Sequence, residues 1–315
     1  DELIVYTALD EEFSREILDR FTAETGIRVR AKYDTESTKT VGLTQAILAE
    51  RRRPRCDVFW NNEVVNMLRL DQAGLLAAYD SPVGAEYPSQ WHSPDHRWYG
   101  FAARARVLIV NTDLVAAEDR PASIRALADP RWKGNAAIAK PLAGTTATHA
   151  ACLAAAWGQE PMEEFFRAVQ ANVQVLGGNK QVAQAVARGE VAFGLTDTDD
   201  ATIEVEAGRP VTIVYPDQGE GELGTLLIPN TVGIIAGAPH ENRAKQLVDY
   251  LLSPQVETRL SAGPSAQIPL HPEATPSERA AAPSELRTME VDFQEAALRW
   301  ETTARFLRDL FAAAD

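Results

Sequence analysis

The sequence predicts an α/β fold in two domains. Its 315 residues correspond to about two domains of roughly 150 residues each. Short β-rich runs alternate with segments whose apolar residues recur at helical spacing, the pattern of strand–helix units on a mostly parallel sheet. The strand–loop–helix junctions also fall into an early group and a later group, so two sets of loop tips form two rims. Ligands of such sheets sit outside the carboxyl ends of the strands.

Taken in order, Leu3-Ile-Val-Tyr6 is the first strand. Asp10 stands at an N-cap position, with Glu11 and Glu12 in a first turn where the helix dipole favours acids. Phe13, Ile17, Leu18 and Phe21 follow at helical spacing, and Gly26 ends that helix. Ile27-Arg-Val-Arg-Ala31 begins a second strand. Ser37 or Thr38 can cap a helix carrying Val41, Leu43, Ile47 and Leu48. Asp57-Val-Phe-Trp60 is a third strand, running into Asn61 and Asn62. Thr7 to Asp10, the 33–38 loop and Asn61–Asn62 therefore share one rim. The second group contains Val107–Val110 as a strand and Ala136–Ala139 entering Pro141-Leu-Ala-Gly-Thr-Thr146 before an Ala-rich helix. Val173–Leu176 leads into Gly177-Gly178-Asn179-Lys180, and Val191–Leu195 into Thr196-Asp-Thr-Asp-Asp200. Val232–Ile235 then precedes a helix at 244–252. From about Glu285 the chain reads as helical, with Leu298, Phe306, Leu307, Leu310 and Phe311 as its apolar positions.

Composition excludes several functions. The formal net charge of −14 argues against a nucleic-acid face, which is basic, and against docking on an anionic membrane. The chain carries 2 Cys, too few for a disulfide framework. No apolar run reaches the 18 or so residues that cross a bilayer. The chain runs into a strand almost at once, as an exported product with its signal peptide removed would. Nothing supplies a nucleophile elbow, a P-loop, a dinucleotide glycine pattern or a zinc motif.

Three clusters carry chemistry. Asp197, Asp199 and Asp200 are hard oxygen donors suited to Ca²⁺, Mg²⁺ or Fe³⁺. They suit a ligand ammonium group equally, or the start of a helix as caps. Arg104 and Arg106 alternate on one strand and point to one face; guanidiniums pair bidentately with carboxylate or phosphate, and the Asp cluster itself is an available partner. Gly144, Thr145 and Thr146 open a helix whose first N–H groups and hydroxyls suit an anion. Asn179 opens another. Thr7, Ser37, Thr38 and Asn61 are similarly placed small polar residues.

These residues resemble a known family. Val5-Tyr6 before an acidic helix, Thr25-Gly26-Ile27-Arg-Val29, Asp57-Val-Phe-Trp60, Trp98-Tyr-Gly100 and Arg104-Ala-Arg106-Val-Leu-Ile-Val-Asn111 look like extracellular solute-binding proteins of ABC importers. Asp129-Pro-Arg-Trp-Lys-Gly134, Arg188-Gly-Glu-Val-Ala-Phe-Gly194 and Ile228-Pro-Asn-Thr-Val232 continue the series. The likeness covers roughly residues 3–270 and is closest to the ferric-iron-binding branch. It implies the two-lobed periplasmic-binding-protein fold (type II), each lobe a mixed sheet flanked by helices, with the ligand in the interlobe cleft. Lobe one would be 1–100 plus 233–285 and lobe two 107–227. The crossovers would be 101–106 and 228–231, with 286–315 as C-terminal helices.

The resemblance further implies a binding protein that is not an enzyme and needs no cofactor. It would act as a monomer in the periplasm or outside the cell and deliver a small molecule or metal to a membrane permease, with no nucleic-acid partner. In the ferric branch two adjacent tyrosines, a His and a Glu bind iron. Here Asp199 and Asp200 match the tyrosines, Asp10 the His and Asn62 the Glu, so Asp199 and Asp200 are the candidate metal ligands. Iron, or another metal with an accompanying anion, is one expected solute. A polar organic anion or zwitterion such as a phosphonate is the other. An enzyme using the Asp cluster as acid and base is the remote alternative.

Overall fold

The computed structural model describes residues 2–34, 40–280 and 286–312. The chain divides into two compact units, Asp1–Ala103 with Pro229–Ala281, and Arg104–Ile228 with Ala282–Asp315.

The first unit holds β1 (Glu2–Thr7), α1 (Glu11–Thr25), β2 (Arg28–Tyr33), α2 (Val41–Ala49), β3 (Val58–Asn61), α3 (Val65–Gln72) and β4 (Leu76–Ala77). It also holds α8 (Glu241–Leu251) and α9 (Pro254–Ala262). Its strands run in the order β2-β1-β3-β10, where β10 is Leu227–Ile235 and β4 pairs with β10. β1 is parallel to both β2 and β3, while β10 is antiparallel to β3. The central β3 is apolar on both faces because both are covered: Val58, Phe59 and Trp60 are fully buried. β2 alternates charge with apolar residues because it is the edge, and Arg28 and Arg30 reach back to Glu2. In α1, Phe13, Ile17, Leu18 and Phe21 form the buried stripe, as their spacing requires. Gly26 ends α1 at φ +74, with its N–H on the Thr22 carbonyl, a left-handed geometry that glycine adopts freely. Asp10 stands at the N-cap position, yet no cap bond comes from its side chain; its carbonyl takes the Phe13 and Ser14 N–H groups instead.

The second unit holds the later groups. They are β5 (Tyr99–Asn111), β6 (Ala136–Ala139), α4 (Gly144–Trp157), α5 (Gln159–Asn172), β7 (Gln174–Leu176), α6 (Asn179–Ala187) and β8 (Phe193–Asp197). After them come α7 (Thr198–Glu206), β9 (Val211–Val214) and α10 (Phe293–Ala312). β5 begins in the first unit and continues here. The strand order is β5-β8-β6-β7, with β9 on β5. β6 is parallel to β7 and β8, whereas β5 is antiparallel to β8 and β9. Both sheets are thus mixed, as the family resemblance implies, rather than mostly parallel as the strand–helix alternation alone suggests, because the long strands β5 and β10 enter them in the opposite sense. Gly194 lies where α6 presses on β8: a Cβ there would stand 2.4 Å from Val182 Cγ1.

The C-terminal helix differs from its sequence reading. It starts at Phe293, after an irregular stretch in which Thr288 bridges Thr225. From that start Ala296, Ala297, Trp300, Thr303, Leu307 and Phe311 form the buried stripe, and Leu298 falls on the outer face, 67% exposed. α10 packs on α4 and α5, with the Phe311 ring 6.4 Å from Phe166. No helix among the described residues is long and apolar enough to cross a membrane.

Candidate functional site

The sequence-selected residues of the second unit converge on the carboxyl end of β8. Arg106 and Asp197 are cross-strand partners in the β5–β8 ladder. Arg106 Nη1 donates to Asp197 Oδ1 at 2.7 Å and also to Thr145 Oγ1 and Asn179 Oδ1 at 3.2 and 3.1 Å. Arg106 Nη2 donates to Thr146 Oγ1 at 3.1 Å. The other Asp197 oxygen accepts the Thr145 hydroxyl at 2.6 Å and the Asn179 amide at 3.0 Å. Burial pushes the Asp197 carboxyl up, but the Arg106 and Arg104 guanidiniums outweigh it and hold the group below its ordinary value. Asp197 occupies the N-cap position of α7 without making a cap bond; its carboxylate goes to Arg106 instead.

One strand period away, Arg104 Nε lies 3.3 Å from Asp199 Oδ2, with both side chains nearly out of solvent. Asp199 and Asp200 occupy the first turn of α7, and the Asp199 carboxylate accepts the Asp200 N–H. Asp197, Asp199 and Asp200 each bring one carboxylate oxygen within 4.8 Å of the others. Among these five charged groups, carboxylates exceed guanidiniums by one. Gly144, at φ +62, opens α4 after the non-capping Ala143. The first N–H groups of that helix have no intrahelical acceptor, and they stand beside the Arg106–Asp197 pair through Thr145 and Thr146.

The candidates of the first unit lie at the carboxyl ends of β1 and β3. Thr7 is buried, and its Oγ1 accepts the Leu9 N–H at 3.2 Å. Asn61 donates to Glu63 Oε1 at 2.6 Å and to the Glu63 carbonyl at 3.0 Å. Glu63 also accepts the Asn66 N–H and the Thr40 hydroxyl. Asn62 is buried beside them, and Asp10 is half-buried ahead of α1. Ser37 and Thr38 lie outside the described residues.

A model of bacterial extracellular solute-binding proteins matches residues 57–294. The chain belongs to that family. A solute-binding protein of this kind is not an enzyme. Among its curated relatives, iron uptake protein A1 of Synechocystis is 27% identical over 271 residues, 82% of this chain and 73% of the relative. A putative 2-aminoethylphosphonate-binding periplasmic protein of Salmonella typhimurium is 27% identical over 267 residues, 82% of this chain and 74% of the relative. The structure of iron-bound HitA from Pseudomonas aeruginosa superposes with a TM-score of 0.87 at 24% identity, covering 97% of this chain and 99% of that one. The mixed α/β fold is therefore that of the ferric-binding periplasmic proteins.

Three participants escaped the sequence reading. Thr198 Oγ1 accepts the Ala105 N–H at 3.1 Å, fixing the strand between the two arginines. Glu63 is the buried hub of the first-unit network. His149, buried on α4, has its ring pKa drawn down to about 3 by burial and then by the Arg106 charge, with Asp197 opposing. Its position three and four residues after Thr146 and Thr145 puts it on their face of the helix, which is the one signal that could have found it.

Proposed function

We propose that the chain is the solute-capturing component of an ABC importer, working outside the cytoplasmic membrane as a monomer and passing its solute to a membrane permease. Its solute is a small zwitterion, with an ammonium group and a phosphonate- or phosphate-like group. One observation carries this reading: Asp197, Asp199 and Asp200 each bring a carboxylate oxygen within 4.8 Å of the others, with the Arg104 and Arg106 guanidiniums beside them, so groups of both signs gather at the start of α7. The clustered acids suit an ammonium group, and the adjacent start of α4 suits an anion. The name of the Salmonella relative agrees with such a ligand.

The second reading is a hard cation with an accompanying anion. The three carboxylates within 4.8 Å of one another support it, as do the names of the iron-related relatives.

Calorimetry and thermal shift with 2-aminoethylphosphonate, ethylphosphonate and ferric citrate separate the two. On the first reading 2-aminoethylphosphonate stabilises the protein by about 2.7 kcal/mol at a hundredfold excess over its Kd, ethylphosphonate binds more weakly, and ferric citrate does little. Stabilisation by ferric citrate alone selects the second reading.

A further inference from the structure

Residues 51–55, Arg-Arg-Arg-Pro-Arg, form the loop between α2 and the amino end of β3. All four arginines are exposed. Other exposed arginines of the chain meet acids: Arg15, Arg20 and Arg167 each pair with a Glu one helical turn away. Among the described residues, no carboxylate forms an ion pair with Arg51, Arg52, Arg53 or Arg55. The acids next to them in sequence are engaged elsewhere. Glu50 accepts the Tyr6 hydroxyl at 3.1 Å. Asp57 is fully buried and accepts the Ile4 and His240 N–H groups at 2.7 and 2.8 Å. The dipole of α2 favours a cation only within about its last turn. That accounts for Arg51, which follows the C-cap Glu50, and leaves Arg52, Arg53 and Arg55 without a structural reason.

The loop is held in one shape. The Arg53 N–H donates to the Glu50 carbonyl and the Asp57 N–H to the Ile4 carbonyl, both at 2.8 Å. Pro54 packs beside Gly237, where a Cβ would stand 3.6 Å from its ring. Lys32 adds a cation nearby, its ammonium 4.5 Å from the centre of the Tyr6 ring whose hydroxyl reaches Glu50. Arg51 and Arg55 flank a crevice of about 10 Å³. That is room for one water at most, so no anion is enclosed. Guanidiniums spread over a fixed loop without a pocket match an array of phosphates better than a single one. The net charge of −14 opposes an anionic membrane for the chain as a whole. Screening sets the range of that opposition at about 8 Å in physiological salt, so a surface in contact answers to the nearest charges, and here those are basic. β1, β2 and β3 are parallel. The loop therefore lies at their amino ends, away from Thr7 and Asn61 at the carboxyl ends.

We propose that the 51–55 loop, with Lys32 beside it, is a docking surface for anionic phospholipid headgroups, which holds the chain against a membrane. The proposal goes beyond the solute assignment and holds for any solute.

The test sediments the full chain with vesicles of phosphatidylglycerol or of phosphatidylcholine. The protein is expected to follow the phosphatidylglycerol vesicles, to ignore the phosphatidylcholine ones and to be released by high salt. Arg52→Gln and Arg53→Gln are each expected to lower the partition constant about fivefold, the equivalent of about 1 kcal/mol per cation at such a surface. Arg51→Gln, Arg52→Gln, Arg53→Gln and Arg55→Gln together are expected to abolish sedimentation. Arg15→Gln, Arg20→Gln, Arg305→Gln and Arg308→Gln together remove the same charge from other exposed positions, and are expected to leave the partition constant within about twofold. Should the loop variant not fold, as read by its urea midpoint, the single variants carry the test. No sedimentation with phosphatidylglycerol, or equal losses in the two four-site variants, overturns the proposal. So does release by soluble glycerol phosphate at the phosphate concentration of the vesicles, which marks a site for a free anion. Binding to polyglutamate in place of the vesicles marks an acidic protein partner and overturns it as well.

Discussion

Arg106 and Asp197 meet as cross-strand partners at 2.7 Å, with side-chain exposures of 0% and 6%. The ladder sets their backbones opposite one another, and two threonines and an asparagine from two helix starts add hydrogen bonds to both. Such a pair adds little over an apolar one, but it is costly to break, because the remaining charge stays buried.

Asp197→Asn is therefore expected to lower stability by about 3–5 kcal/mol, read as a lower midpoint in urea. Replacing Arg106 and Asp197 together by apolar residues of similar volume is expected to recover much of that loss. Additive losses in the double variant contradict the coupling.

His149 gives the stability a pH signature. Its ring titrates near 3 in the folded chain and about 6.5 when unfolded. Below 6.5 the unfolded chain takes up a proton that the folded chain refuses. Stability therefore falls with falling pH across that window, with a slope approaching about 1.4 kcal/mol per pH unit from this group. Between pH 6.5 and 5, where most carboxylates stay ionised, His149→Phe is expected to flatten the slope. Urea midpoints at intervals of half a pH unit decide it.

For the acid pair, Asp199→Asn with Asp200→Asn is expected to weaken 2-aminoethylphosphonate at least tenfold while leaving ethylphosphonate within about twofold, a tenfold change being about 1.4 kcal/mol. Equal weakening of both by calorimetry removes the ammonium contact from the proposal.

Cys56 and Cys152 are both buried and form no disulfide, and burial pushes the Cys56 thiol well up. Neither is expected to react with a thiol reagent in the folded protein, and two equivalents are expected in denaturant. Fewer than two in denaturant contradicts the absence of a disulfide.

The fold was legible where a local pattern reports directly on geometry. The apolar stripe of α1, Gly26 as its stop, and the strand–loop–helix junctions at Ala136, Gln174 and Phe193 all depend on nearest neighbours in sequence. What stayed hidden depends on distant partners. The strand sense of β5 and β10 is set by where the chain returns, so the mixed sheets followed from the family resemblance and not from the local alternation. Leu298 fits a helix as well as Trp300 does, and only the helix start at Phe293 turns it outward. In the site, the arginine and aspartate clusters were visible, with mutual pairing among the open alternatives. The register that assigns Arg106 to Asp197 and leaves Arg104 to Asp199 is tertiary information. Glu63 had no spacing motif and His149 only its helical spacing from Thr145 and Thr146, since each acts through residues brought up by folding.

The C-terminal helix has a consequence for how the chain is made. Residues from 282 onward return to the unit begun at Arg104, and α10 covers α4. On a ribosome, α4 emerges well over a hundred residues before its cover, and the first unit likewise waits for the stretch after Pro229. The first unit can complete its core only after all of Arg104–Ile228 has been made, and the second only once the stretch from 282 follows. The second unit therefore stays open until α10 is made, whereas domains contiguous in sequence can fold one after another from the N-terminus.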